Sequence, residues 1–231
     1  MLSSACSKEE SKPIIDENID TETIEDFEVL FIGNSHTYYN SGLAHHLNRF
    51  RKTENENYDT YIKEVSFGGF SLADHINNTT AISKINERDW DFIVLQENTF
   101  VAANEGESTL AALNKFNEVL GQKRAKVYLF MTWEYKDEPD MYQRIKNTYD
   151  DGSLATGAQI VPVGQVWRQI ARDSVPNINL YNEDGFHPAL QGTFLAAAMF
   201  YKKIYGKNPS DNSYKAGLES EVAEYLKLKA N

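Results

Sequence analysis

The chain has 231 residues, and its 41% hydrophobic and 25% charged content is that of a globular protein able to bury a full core. Its 34 acidic residues exceed its 23 basic residues, and the net charge of −11 argues against a nucleic acid as partner. No run of about 18 apolar residues is present that could span a bilayer as a helix. Cys6 is the only cysteine, which excludes an internal disulfide and a multi-thiolate metal site.

The N-terminal segment carries this cysteine and many acidic residues. Small residues precede Cys6 and Ser-Lys-Glu-Glu follows it, which resembles the end of a bacterial lipoprotein signal followed by the acidic export tag of Bacteroidetes surface lipoproteins. The resemblance implies a lipid on Cys6, a membrane tether and a place in the cell envelope. The alternative is an incidental cysteine in a cytoplasmic protein. Under either interpretation, low hydrophobicity and high charge predict a disordered tether over residues 1–26.

Short apolar runs alternate with amphipathic segments from residue 28 onward, without a Gly/Pro/Ser-rich linker. The predicted strands are Glu28–Gly33, Tyr58–Ser66, Asp91–Gln96, Lys126–Thr132 and Gln159–Pro162. The predicted helices span residues 41–52, 72–88, 106–121, 139–157, 163–174, 188–206 and 214–229. This alternation predicts a single domain over residues 27–231 with an α/β fold. The expected architecture is a flavodoxin-like, three-layer α/β/α sandwich around a mainly parallel five-stranded sheet. Ligands are expected to bind and react at the carboxyl ends of the strands.

The first predicted strand ends in Gly33-Asn34-Ser35, so Ser35 lies just past a strand end and just before a helix. Backbone N–H groups at such a position can stabilise negative charge that develops during a reaction, which suits a nucleophile. A serine near a helix start is also a common N-cap, so the position alone does not identify a nucleophile. The Gly-x-Ser-x-Gly motif of α/β-hydrolases is absent from the sequence.

A second candidate lies near the other end of the chain, at Asp184-Gly185-Phe186-His187-Pro188. A carboxylate three residues before a histidine on a turn can hold the imidazole in one tautomer and leave its other nitrogen free for a cleft. The competing interpretation is an Asp-Gly turn followed by an incidental histidine.

Taken together, these segments resemble the sequence blocks of the SGNH/GDSL hydrolase superfamily. The likeness covers residues 28–206 and is greatest to a Bacteroidetes-type branch. The matching blocks are Gly33-Asn34-Ser35, Ser66-Phe67-Gly68-Gly69-Phe70-Ser71, Leu95-Gln96-Glu97-Asn98 and Asp184-x-x-His187-Pro188. The third block departs from the usual Gly-x-Asn-Asp, because Gln96 and Glu97 precede the asparagine.

The resemblance implies that Ser35 is the nucleophile, His187 the general base and Asp184 the residue that orients His187. It also implies an oxyanion hole made of the backbone N–H groups of Ser35 and Gly69 and one side-chain amide. By spacing Asn98 supplies this amide, with Gln96 as the alternative.

Other residues are weaker candidates. His36 and Trp133 follow strand ends and are interpreted as substrate-binding residues, although surface exposure for His36 and structural packing for Trp133 are alternatives. Tyr38 and Tyr39 form a candidate rim over the site. His45 and His46 are about 100° apart on a helix and cannot chelate one metal ion. We expect neither a metal nor a cofactor.

The function that follows from the resemblance is a serine esterase acting on a small acyl ester, with an acetyl group on a carbohydrate as the expected substrate. The partner is then a small-molecule or glycan ester, and the oligomeric state is left open. The alternative, motivated by the irregular third block, is a catalytically silent glycan-binding lipoprotein on the same fold.

Overall fold

The computed structural model describes residues 27–58 and 60–231, so the predicted tether and Cys6 lie outside the described residues. Five parallel strands form one sheet in the order β2-β1-β3-β4-β5. Their bounds are β1 Glu28–Gly33, β2 Tyr61–Ser66, β3 Phe92–Leu95, β4 Lys126–Phe130 and β5 Gln159–Val161. All five predicted strands are present, and none is longer than predicted.

Helices cover both faces of the sheet. Their bounds are α1 Ser35–Tyr38, α2 Gly42–Glu54, α3 Leu72–Ile76, α4 Thr79–Glu87, α5 Thr99–Asn104, α6 Gly106–Leu120, α7 Met141–Thr156, α8 Val163–Asp173, α9 Leu190–Tyr205 and α10 Ser220–Ala230. Alternate side chains of β1 enter two separate cores: Val29 and Phe31 pack with α2, α8 and α9, whereas Leu30 and Ile32 pack with α3, α6 and α7. The predicted three-layer α/β/α sandwich is therefore confirmed.

The helices differ from prediction in a few places. The helix predicted over residues 72–88 is two helices, because Asn78 Oδ1 accepts the N–H of Thr80 at 2.8 Å and starts a new helix there. The short helices α1 and α5 were not predicted, and α10 begins at Ser220 rather than at residue 214. Within residues 27–58 and 60–231, none of the helices is long and apolar enough to cross a membrane.

The strand order fixes where a site can form. The chain runs from β1 outward to β2 and then returns to the other side of β1 to form β3, so the connections after β1 and β3 leave on opposite faces. Ile32 pairs with Leu95, which makes the carboxyl ends of these two strands level. In open α/β sheets, ligands bind in the crevice at such a switch point. Ser35 follows β1 and Asn98 follows β3, so both candidates flank this crevice.

Candidate active site

Ser35 is the first residue of α1, directly after β1, and is 8% exposed. Asn34 fixes the turn that precedes it. Its Oδ1 accepts the N–H of His36 at 3.1 Å, and its Nδ2 donates to the carbonyl of Phe70 at 2.9 Å. These bonds cap α1 and tie it to the loop after β2, so Ser35 Oγ is held at the carboxyl edge of the sheet.

His187 and Asp184 reach Ser35 from a loop before α9. His187 Nε2 lies 2.8 Å from Ser35 Oγ, although the two residues are 152 positions apart. His187 Nδ1 lies 2.7 Å from Asp184 Oδ2, and Asp184 Oδ1 accepts the backbone N–H groups of Phe186 and His187 at 3.0 and 2.9 Å. Burial raises the pKa of Asp184, but the bonds from His187 and the two N–H groups outweigh it and hold the pKa below its ordinary value. The carboxylate is therefore charged at neutral pH.

The ring of His187 is also restrained by Tyr39. The two rings stack with centroids 4.1 Å apart and an angle of 8° between their planes. Tyr39 in turn lies beside Tyr38, at 5.9 Å between ring centroids. The expected Tyr38-Tyr39 rim thus consists of an exposed ring, Tyr38, and a partly buried ring that limits the rotation of His187.

The carbonyl of Phe186 anchors the His187 loop. It accepts hydrogen bonds from His36 Nε2 at 3.1 Å and from Trp133 Nε1 at 3.0 Å. Burial, together with the neighbouring His187, lowers the pKa of His36 to about 3, so His36 is neutral. A neutral ring with its proton on Nε2 is the form that donates to a carbonyl.

Trp133 offers no surface to a substrate, and His36 offers little. Trp133 is 0% exposed and stacks on Trp167 with 3.7 Å between ring centroids, so the prediction that it binds substrate is wrong. His36 is 6% exposed and its Nε2 is used by Phe186, so its contact with substrate stays a prediction. Both residues position the His187 loop. Sequence position could not show this, because burial of a side chain after a strand end depends on how the loops pack.

Gly69 and Asn98 are in direct contact. Asn98 Nδ2 donates to the carbonyl of Gly69 at 2.9 Å, and Asn98 Oδ1 caps α5 by accepting the N–H of Phe100 at 3.0 Å. The amide has a second N–H proton, which is free of this bond. Gly69 has φ +77°, a conformation that favours glycine, and it is exposed. The structure therefore brings together the two segments that the resemblance assigns to an oxyanion hole.

Gln96 cannot serve as the side-chain donor, and this alternative is wrong. Its side chain is 0% exposed. Its Oε1 accepts the N–H of Asn34 at 2.8 Å and the hydroxyl of Thr37 at 2.9 Å, and its Nε2 donates to the carbonyl of Glu97 at 2.6 Å. Gln96 instead links the end of β3 to the turn that carries Ser35.

Glu97 is a buried carboxyl group that sequence reasoning did not assign. Its Oε1 accepts the N–H of Asn98 at 2.6 Å and that of Leu72, at the start of α3, at 3.0 Å. Thr109 lies close to this carboxyl group, but neither Glu97 Oε2 nor Thr109 Oγ1 has a hydrogen bond of normal geometry among the described residues. Burial raises the pKa of Glu97 to about 7. The sequence signal that could have identified Glu97 is an acidic residue directly after a buried strand, because a buried carboxyl group needs a hydrogen-bond partner.

Among the described residues, no group of three His, Cys, Asp or Glu side chains could hold a metal ion. His46 is bonded through Nδ1 to the hydroxyl of Tyr214 and through Nε2 to the carbonyl of Asn40, both at 2.8 Å. It therefore packs α2 and is not free to bind a ligand.

Solved structures share this fold. No protein-family model matches the chain, and no curated protein matches it. A candidate SGNH hydrolase from Slackia heliotrinireducens is 22% identical, with a TM-score of 0.67, over 78% of this chain and 100% of that chain. A DUF4886 family protein from Bacteroides uniformis is 19% identical, with a TM-score of 0.71, over 88% of this chain and 93% of that chain. An acetyl xylan esterase from Geobacillus stearothermophilus is 12% identical, with a TM-score of 0.57, over 77% and 94% of the two chains.

These matches show that the chain has the SGNH/GDSL hydrolase-like fold. The fold that the four sequence blocks imply is therefore confirmed.

The buried carboxyl group of Glu97 predicts a pH dependence of stability. Its pKa in the folded protein, about 7, lies above its ordinary value of 4.5, so it stabilises the fold fully below about pH 4.5. This contribution, on the order of 3 kcal/mol, is lost as the pH rises through 7. We expect urea unfolding of Glu97→Gln to show less loss of stability between pH 5 and 8 than the wild type.

The matched control is Glu107→Gln, which changes an exposed acidic residue on α6. Its stability should fall with pH as steeply as that of the wild type. Parallel pH profiles for the wild type and Glu97→Gln would contradict the assignment of a neutral, buried Glu97.

Proposed function

We propose that the protein is a serine esterase that hydrolyses a small acyl ester through an acyl-enzyme. The observation that carries the proposal is the continuous chain of hydrogen bonds from Ser35 Oγ through both nitrogens of His187 to Asp184. A nucleophile within reach of a base, with the base oriented by a carboxylate, is the arrangement that activates a serine hydroxyl.

The first half of the reaction forms the acyl-enzyme. Ser35 Oγ attacks the ester carbonyl carbon while its proton passes to His187 Nε2, and the carbonyl electrons move onto the oxygen. The tetrahedral intermediate then collapses, the bond to the alcohol oxygen breaks, and His187 returns the proton to the leaving alkoxide. Asp184 stabilises the imidazolium that exists between these two transfers.

The second half consumes water. His187 Nε2 takes a proton from a water molecule whose oxygen attacks the acyl carbon. The bond between this carbon and Ser35 Oγ breaks, the proton passes to Ser35, and a carboxylic acid leaves. His36 stays neutral throughout, because its burial and its proximity to His187 disfavour a second positive charge there.

Negative charge on the carbonyl oxygen is stabilised, in this proposal, by the backbone N–H groups of Ser35 and Gly69 and by Asn98 Nδ2. Support comes from the bond between Asn98 and the carbonyl of Gly69, which holds the amide beside the Gly69 segment. Preorganised donors of this kind act strongly because they need no reorientation during the reaction.

For the acyl group and the alcohol, we propose acetyl and a carbohydrate. An acetyl xylan esterase is among the proteins that share the fold, which supports this choice by analogy. We also propose that Cys6 carries a lipid that tethers the enzyme to the cell envelope, on the strength of the small residues before it and the acidic segment after it.

Replacing the nucleophile tests the proposal directly. Ser35→Ala should lower kcat for a short-chain aryl ester by roughly 10⁴-fold or more, since the hydroxyl and its base act as a unit. Ser83→Ala, which removes an exposed hydroxyl on α4, is the control and should retain wild-type activity. A fluorophosphonate probe should label the wild type at Ser35. Equal rates of hydrolysis by the wild type and Ser35→Ala would refute the role of Ser35, whereas a wild type with neither hydrolysis nor labelling would favour a silent glycan-binding protein.

The role of Asn98 is tested with two variants, because this residue also caps α5. Asn98→Ala should lower kcat by about 10² to 10³, corresponding to about 2.7 to 4 kcal/mol, with little change in KM. Asn98→Asp retains an oxygen that can cap α5 but lacks the N–H donor, and it should lose at least as much activity. A wild-type kcat for Asn98→Asp would refute the role of Asn98 in the oxyanion hole.

Lipidation is tested by mass analysis of the protein purified from its host after expression from its natural gene. We expect an acyl-modified Cys6 as the mature N-terminus and partition of the protein into the membrane fraction. Cys6→Ser should lose both properties. An unmodified cysteine and a wild-type protein in the cytosolic fraction would refute the tether.

A further inference from the structure

Exposed aromatic side chains are concentrated at the candidate active site. Five large hydrophobic side chains are exposed in the described part of the chain: Tyr38 at 38%, Phe67 at 36%, Phe100 at 52%, Leu154 at 87% and Leu228 at 65%. The three aromatic ones lie on the segments that supply Ser35, Gly69 and Asn98. Single exposed apolar residues are ordinary, but a cluster around a reactive group marks a surface that a ligand covers.

Tyr38, Phe67 and Phe100, hereafter the aromatic rim, come from three different segments: the end of α1, the loop after β2 and the start of α5. Asn98 Nδ2 bonds the carbonyl of Gly69, which brings the start of α5 and therefore Phe100 next to the loop after β2. The hydroxyl of Tyr38 reaches over the same loop, since a Cβ atom at Gly68 would lie 3.1 Å from Tyr38 Oη. The aromatic rim thus surrounds the segment that faces the ester carbonyl.

Packing explains only part of this arrangement. Phe67 contacts Phe70 and His75, with 4.9 and 5.9 Å between ring centroids, and remains 36% exposed. Phe100 leaves more than half of its surface in water. None of the three rings belongs to either hydrophobic core, so core packing does not account for aromatic residues at these positions.

The rim is also free of formal charge. The segments 35–40, 66–71 and 98–104 contain no Lys, Arg, Asp or Glu, although a quarter of the whole chain is charged. The one histidine among them, His36, is neutral, and Asp184 is hydrogen-bonded to His187. Such a surface gives no electrostatic preference to an anionic substrate. It does offer the hydroxyl group of Tyr38 beside the aromatic faces.

We propose that the aromatic rim binds an uncharged sugar ring in the alcohol part of the ester and is the main determinant of substrate specificity. Aromatic faces pack against the C–H faces of a pyranose, and neutral hydrogen-bonding groups at the edges pair with its hydroxyls. This proposal rests on the proposed esterase function for its catalytic part, but the binding of the sugar can be measured without catalysis.

The hydrolysis experiment compares three esters: vinyl acetate, which is too small to span the rim, an acetylated methyl glucoside, and an acetylated methyl glucuronoside of similar size with one negative charge. We expect the wild type to prefer the glucoside to the glucuronoside. Phe100→Ala should raise KM for the glucoside roughly three- to tenfold, the range of one aromatic contact, and should affect vinyl acetate much less. Leu154→Ala, which changes a still more exposed apolar residue on α7, should behave as the wild type on all three.

The binding experiment uses Ser35→Ala, which keeps the rim and does not turn over. Calorimetric titration with the acetylated glucoside should give an affinity that falls three- to tenfold in Ser35→Ala/Phe100→Ala. Retained binding without hydrolysis by the wild type would refute the esterase and leave the rim supported. Equal affinities in the two variants, equal or tighter binding of the glucuronoside, or Phe100-dependent binding of phenyl acetate in place of the glucoside would each overturn the proposal.

Discussion

The carbonyl oxygen of Phe186 holds the candidate active site together. Two buried ring donors, His36 on the serine side and Trp133 after β4, converge on this one acceptor. The loop that carries His187 has little regular structure of its own, so without these bonds its position over Ser35 would be weakly determined. Both donors are shielded from water, which makes the loss of either bond costly. The contact between Ser35 Oγ and His187 Nε2 therefore depends on the carbonyl oxygen of a third residue, Phe186.

Burial explains why His36 is neutral, because it disfavours the charged ring more than the bond to this carbonyl favours it. A histidine next to the base would compete with it for a proton if both were exposed. Burial removes that competition, because the charged form of His36 would lose its hydration by water. In the proposed reaction, proton transfer is therefore left to His187. Two adjacent imidazole rings then have different roles, and the burial of His36 is the main physical difference between them.

Much of this site could be predicted from sequence because it lies at strand ends. A buried β1 followed by Gly33-Asn34-Ser35 and a turn of Asp184 to His187 place their side chains at one edge of a parallel sheet, whatever the detailed packing. The third block shows where such reasoning stops. Three consecutive side chains after β3 point in different directions as the backbone turns from strand into α5. Residue spacing could not distinguish the buried amide of Gln96 from the partly exposed amide of Asn98.

Trp133 and Glu97 were harder to predict for a related reason. A tryptophan after a strand end can face a cleft or a core, and only the stack on Trp167 from α8 decides between them. A glutamate suggests a surface, yet Glu97 uses its carboxyl group to join the N–H groups of two helix starts. The predicted helix boundaries were wrong where a single side chain caps a helix, as Asn78 does at the start of α4. In each case the contact that determines the position of the side chain or the helix end involves a residue distant in sequence or a single polar atom.

The stacked pair of Trp133 and Trp167 has an optical consequence. Indole rings 3.7 Å apart and inclined by 4° are close enough to couple their electronic transitions, so we expect the folded protein to show a circular dichroism signal that separate indole rings lack. Trp90, the third tryptophan, is buried beside Tyr61, far along the sheet toward the start of β3. The coupled band therefore reports on the indole that is bonded to Phe186. The molecule carries a built-in spectroscopic reporter of the loop that bears its base.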